Sequence, residues 1–252
     1  MKKLMFAAAV AAGLAAFGEG IESANTVGYQ NKDARAKNVV LISTFYSIGT
    51  QGIDINSIVP VGDDVDGGGN TNIQILDNLN KTTASYIWLT EDEWGVEDGD
   101  GWYADDMETR LTGENAVTLP VGTGFLFQSP SAIQLQVSGE VKTNALSITA
   151  RAKNVMLGNP LPVDLDLNDI ALSGAVDGGG NTNIQILDAL NKTSSTYVWL
   201  TEDEWGVEDG DGWYADDMET KIQDGDVTFA PGDGFLFQSP NAITVTFPAI
   251  GI

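Results

Sequence analysis

Across 252 residues the chain sets 36 acidic side chains against 12 basic ones, a net charge of −24, and has neither histidine nor cysteine. Such a charge repels phosphate backbones and anionic membranes, which argues against nucleic-acid binding and leaves cation binding or plain solubility as what the acids serve. Without His or Cys there is no disulfide framework, no thiolate or imidazole zinc site and no nucleophile–histidine pair, so the chain is read as non-enzymatic.

Residues 1–18 read as a cleavable signal peptide. Lys2 and Lys3 give a positive start, Leu4 to Phe17 is an alanine-rich apolar run, and Ala16 and Gly18 are small residues placed for cleavage before Glu19. The run is shorter than the roughly 20 residues a membrane-spanning helix needs. Export through the general secretory route, to the cell surface or the extracellular space, is therefore expected, with no stable membrane span after cleavage. Residues 19–33 follow as an N-terminal extended segment.

Self-comparison then divides the chain into two repeats, 34–141 and 142–252. Ala34–Leu41 (ARAKNVVL) matches Ala150–Leu157 (ARAKNVML), and Gly124–Pro130 (GFLFQSP) recurs at Gly234–Pro240. Between them, Val65–Thr109 recurs at Val176–Thr220 with few changes, among them Asn78 to Ala189, Ser85 to Thr196 and Ile87 to Val198. The first copy has an extra stretch around Ser47–Asp54, and its Asp64 faces Ala175 in the second. A spacing of about 110 residues suits a small domain rather than a solenoid unit.

Within each repeat the hydrophobic period is two. Val39–Tyr46 opens the first repeat as a strand, and Asn72–Asp77 alternates around Ile73 and Ile75. Ser85–Thr90 puts Tyr86 and Trp88 on one face and Ile87 and Leu89 on the other. Ala116–Val121, Gly124–Gln128 and Ala132–Val137 follow, separated by Gly, Pro and Ser. After the signal there is no long amphipathic pattern; Asp164–Leu172 has room for one helical turn. The expected fold is all-β: two tandem antiparallel β-sandwich or barrel-like repeats.

Each repeat carries the block TEDEWGVEDGDGWYADDMET, at Thr90–Thr109 and Thr201–Thr220, and the two blocks hold half of all acidic residues. Like charges at this density repel unless water or cations neutralise them. The alternating carboxylates of DGDG point to an oxygen-only Ca²⁺ site, with Asp98, Asp100 and Asp105 as candidate ligands, and Asp209, Asp211 and Asp216 in the second copy. Trp102 and Trp213 stand where an EF-hand needs an oxygen, so a solvated acidic hairpin is the competing reading. Asp63–Asn70 reads as a turn, because its second copy keeps only Asp177. Tyr86, Trp88, Trp94, Trp102 and Tyr103 offer a stacking platform for carbohydrate if exposed, and ordinary core if not. Paired carboxylates alone do not single out a glycosidase in so acidic a chain. The sequons at Asn80–Thr82 and Asn191–Thr193 carry no weight in a bacterial-type exported protein.

The ends of the repeats suggest self-association. Glu22–Asp33 precedes the first repeat much as the end of copy one precedes copy two, so one chain's start offers a head-to-tail contact to another chain's end, giving a filament or surface layer.

The stretch IESANTVGY (Ile21–Tyr29), with the GIDIN element at Gly52–Asn56, the NIQILD strands, the GWY turns and the GFLFQSP strands, resembles a group of exported bacterial β-rich repeat proteins. The resemblance covers almost the whole chain. It implies export and β-rich repeats, and it brings no catalytic residue or cofactor. Together these readings describe an exported non-enzymatic structural or cell-surface protein, with a carbohydrate- or Ca²⁺-binding β module as the alternative.

Overall fold

The computed structural model describes residues 27–34, 40–43, 46–47, 52–77, 79, 81–141, 143–187 and 192–250. The expected signal peptide (residues 1–18), residues 19–26, most of the first ARAKNV motif and the sequon residues Asn80 and Asn191 lie outside them. The architecture is all-β. The first repeat runs β1 (Val27–Ala34), β2 (Val40–Ser43), β3 (Tyr46–Ser47), β4 (Ile53–Asp54), β5 (Ile58–Val61), β6 (Gly68–Leu76), β7 (Thr82–Leu89), a single helical turn α1 (Glu91–Trp94), β8 (Gly101–Ala104), β9 (Thr118–Leu119), β10 (Gly124–Gln128) and β11 (Ile133–Val141). The second runs β12 (Leu146–Ala150), β13 (Lys153–Gly158), β14 (Leu165–Asp166), β15 (Ala171–Gly174), β16 (Gly179–Leu187), β17 (Thr193–Leu200), α2 (Glu202–Trp205), β18 (Gly212–Ala215), β19 (Thr228–Phe229), β20 (Gly234–Ser239) and β21 (Ile243–Phe247).

Each repeat holds a five-stranded antiparallel sheet, β2-β10-β6-β7-β8 in the first and β13-β20-β16-β17-β18 in the second. A smaller sheet faces it, with β11 between β1 and the β5 and β3 strands, or β21 between β12 and β15. The expected alternation explains why the layers pack. Phe125 and Phe127 of β10 and Ile73 of β6 point down, and Leu135 and Val137 of β11 point up, so both sheets fill one buried cluster. Phe235, Phe237, Ile184, Val245 and Phe247 do the same in the second repeat. Trp102 closes the first core edge-to-face on Trp88 at 5.4 Å and donates its indole N–H to the Ile58 carbonyl at 2.7 Å. This is a sandwich-like layering with one core per repeat.

Each repeat closes on itself. β1 pairs with β11 along its whole length, from Val27 opposite Glu140 to Ala34 opposite Ile133, and β12 pairs with β21 from Leu146 opposite Phe247 to Ala150 opposite Ile243. The described part of the segment offered for a head-to-tail contact is thus a strand of the chain's own first repeat. Its backbone donors on that side are already used within the chain. In the extra stretch of the first copy Ser47 ends β3 and Ile53–Asp54 forms β4, and the helical turn expected within Asp164–Leu172 is a short 3₁₀ turn, Leu167–Asp169, capped by the Asp166 carboxylate at 2.8 Å from the Asn168 N–H. No helix among the described residues is long and apolar enough to cross a membrane.

A tryptophan and carboxylate crown on each repeat

The acidic block does not form a plain hairpin. It leaves β7, makes the single helical turn, loops through DGDG and returns as β8, and this crown is built the same way in both repeats. The signal for the turn is Thr-x-x-Glu, an N-terminal capping pattern. The Thr90 hydroxyl accepts from the Glu93 N–H at 3.4 Å, and Gly95 ends the turn in the left-handed region at φ 71°, donating to the Glu91 carbonyl at 2.8 Å. Such a φ favours glycine, which has no Cβ to strain.

Glu93 departs from the usual capping box. Its carboxylate reaches across to the Gly67 N–H at 2.7 Å, while the Thr90 N–H donates to the Gly67 carbonyl at 3.1 Å. The turn is thereby fastened to the DGGGN segment, where Asp66 accepts from the Gly68 and Asn70 N–H groups at 3.1 and 2.9 Å. This is an Asx-type turn, as the sequence suggests for Asp63–Asn70. Glu204, Gly178 and Asp177 repeat the arrangement. Below the turn, Ile87, Leu89, Val96 and Tyr103 form a small satellite core on the outer face of the sheet, with Met107 packed against it.

The candidate calcium ligands fall as follows. Asp100 accepts from the Glu91 N–H at 2.8 Å, and Asp211 does the same for Glu202 at 2.8 Å, so each closes the loop onto its helical turn. The backbone carbonyls of Asp98 and Asp100 take the Arg110 guanidinium, the second at 2.6 Å. In the other repeat Lys221 serves the carbonyls of Asp209 and Gly210, the latter at 3.1 Å. Asp105 and Asp216 are exposed beside the next turn, which is capped by their neighbours Asp106 and Asp217. Among the described residues, no group of three or more carboxylates converges as a metal would require. A cationic side chain from twelve residues along the chain instead reaches the loop carbonyls in both repeats. Repeat comparison passes over it because the residue is arginine in one copy and lysine in the other.

The electrostatics follow from these bonds. The Thr109 hydroxyl, then the Thr109 and Glu108 N–H groups, hold Asp106 below the ordinary aspartate range, and Thr220 and Glu219 do so for Asp217. Burial raises Tyr103, with Arg110 opposing and Asp98 and Asp100 adding to the rise; burial, then Asp209 and Asp211, raise Tyr214. Both phenols donate to a loop carbonyl, Tyr103 to Gly99 at 2.8 Å and Tyr214 to Gly210 at 2.7 Å.

The aromatic residues separate cleanly. Trp102 and Tyr103 are buried, and Tyr86 and Trp88 pack half-buried against the main core. Trp94 and Trp205 stand out at 48% and 49% exposure, each in the last position of its helical turn. Beside Trp94 lies an open pocket of about 310 Å³ whose walls include Val96, Asp98, Tyr103 and Met107. In the second repeat a hollow of about 470 Å³ is lined by Trp199, Asp211, Lys221 and Asp224, among others. Comparison with protein-family models, with curated proteins and with solved structures yields no match.

Proposed function

We propose that the chain is an exported, non-enzymatic adhesive protein of the cell surface, a two-headed body that engages a polysaccharide at each crown. The observation that carries this reading is the pair Trp94 and Trp205: the same indole, half exposed, on the same fastened turn in both repeats. An indole face stacks on the apolar face of a sugar ring, and carboxylates around it accept hydroxyl hydrogen bonds. Rigidity matters here, because a preorganised ring loses little entropy when it binds. The charge of −24 narrows the ligand to neutral or amine-bearing glycans, since acidic ones are repelled.

Two matching tryptophan turns suit a polymer. Each crown sits at the β7–β8 side of its sheet, away from the strands through which the repeats meet, so one body holds two points of a chain or bridges two chains. Such bivalency raises avidity by about 10²–10⁴ without any new contact. The resemblance of the N-terminal stretch to exported bacterial repeat proteins supports the location.

The test is retention of the full chain on an array of neutral, amine-bearing and acidic glycans, followed by surface binding of Trp94→Ala, Trp205→Ala and the double variant. Retention on a neutral or amine-bearing polymer is expected, weakened by each single change and abolished by the double one. No retention, or an unaffected double variant, would overturn the reading. Large ordered particles of the protein alone under the electron microscope would replace it with a self-assembling structural role.

A further inference from the structure

The two repeats meet through equivalent surfaces. Leu126 of β10 and Leu236 of β20 are the same position in the two GFLFQSP strands, and Leu76 and Leu187 end the two NIQIL strands; all four join Met156 in one apolar cluster between the repeats. Alternation explains their availability, since Leu126 lies between Phe125 and Phe127, which point into the core. The strand contacts are reciprocal as well: β10 lies on β13 and β2 on β20, while β10 meets β20 and β13 meets β2. Residue i touching j and j touching i is the mark of an isologous, two-fold interface.

The rims of this seam break the symmetry. On one side Lys32 of β1 forms an ion pair with Asp233 and donates to the Pro231 carbonyl at 3.4 Å. On the other side the equivalent strand β12 presents Ile148 where the first presents Lys32, and the equivalent loop presents Thr123 where the second presents Asp233. That loop is in tight contact: a Cβ on Gly122 would stand 2.5 Å from the Ile148 Cδ1. The Gly158 N–H donates to the Gly122 carbonyl at 3.2 Å, and Arg151 reaches the Leu76 carbonyl at 2.9 Å.

We infer that the seam is a dimerisation face, self-complementary at its leucine centre, whose partner is another copy of the repeat, and that its two rims select unlike repeats over like ones. A pair of second repeats would set Ile148 against Asp233 twice, leaving two carboxylates without a cation. A pair of first repeats would set Lys32 against Thr123 twice. The mixed pair alone gives Lys32 its carboxylate and Ile148 its apolar loop. Selection here rests on what the wrong pairing leaves unmatched.

The experiment uses the full chain with a protease site introduced between Val141 and Leu146. The folded protein is cut, re-equilibrated at low concentration and weighed by native mass spectrometry, with tryptophan emission reporting that the halves remain folded. The halves are expected to stay paired, with the mixed pair exceeding either like pair by about tenfold. Leu126→Ala with Leu236→Ala should weaken every pair by about tenfold or more. Asp233→Thr, which gives the second loop the residue of the first, should raise the like pair of second repeats. Halves that part on cutting without any substitution would overturn the self-complementary face. A mixed-to-like ratio unmoved by Asp233→Thr would overturn the assignment of selectivity to the rims.

Discussion

Replacing Gly67 with alanine tests how the crown is fastened. Its Cβ would fall 2.0 Å from the Thr90 Oγ1, 2.6 Å from Cγ2 and 2.7 Å from Cβ, so the β6 segment and the capped turn must move apart. Overpacking of this kind costs about 1–3 kcal/mol. Separation also breaks the Glu93 and Thr90 bonds to the Gly67 backbone, each worth about 1 kcal/mol. The expected loss is about 3–5 kcal/mol, or a fall in Tm of about 2–4 °C for each kcal/mol in a chain of this size. Gly95→Ala is the comparison. That site has φ +71° and nothing within 4 Å of a new Cβ, so it bears only the left-handed backbone cost of about 1–2 kcal/mol. Urea unfolding followed by tryptophan fluorescence measures both variants, and Gly178→Ala repeats the experiment against Thr201 in the second repeat. Adding Thr90→Ala should recover part of the Gly67→Ala loss, since it removes the two nearest side-chain groups. A Gly67→Ala cost no larger than that of Gly95→Ala, or no recovery with Thr90→Ala, would show that the Gly67 segment and the capped turn are not packed against each other.

Other outcomes follow from the same contacts. Phe237→Ala, a fully buried ring in the second core, should cost about 3–5 kcal/mol in urea unfolding, whereas Trp94→Ala should leave the midpoint nearly unchanged. Arg110→Met removes the cation on the Asp98 and Asp100 carbonyls and should lower stability by about 1–3 kcal/mol, read as a lower urea midpoint. Asp106 and Asp217 titrate below the ordinary aspartate value when folded, so their contribution is present above that value and lost as the pH falls from about 4 through the depressed value. Crown unfolding in acid should therefore shift on Asp106→Asn with Asp217→Asn. Tyr103 and Tyr214 are raised, so the stability they contribute is complete below the ordinary tyrosine value and declines as the pH climbs past about 10. Phenolate absorbance measured alongside circular dichroism checks the order of ionisation and unfolding.

The all-β class, the repeat, the Asx turn at Asp66 and the inward and outward faces of Tyr86–Leu89 are legible in the residues, because period two and local turn chemistry act between near neighbours. Gly124–Gln128 is a strand with the bounds its pattern suggests, and Thr-x-x-Glu already contains the helical turn of the crown. The rest follows from long-range packing. A tryptophan reads the same whether it closes a core, as Trp102 does, or faces water, as Trp94 does; only the packing of β8 against the facing sheet separates them. The DGDG carboxylates stand out in the sequence, but the cations Arg110 and Lys221, which come from beyond the next turn to the loop carbonyls, do not. Leu126, lodged in an apolar strand, looks like core, and it is the approach of a second repeat, with its own leucine at the same place, that makes it a seam. Each of these depends on which distant surface comes to lie opposite, and chain order carries no local record of that.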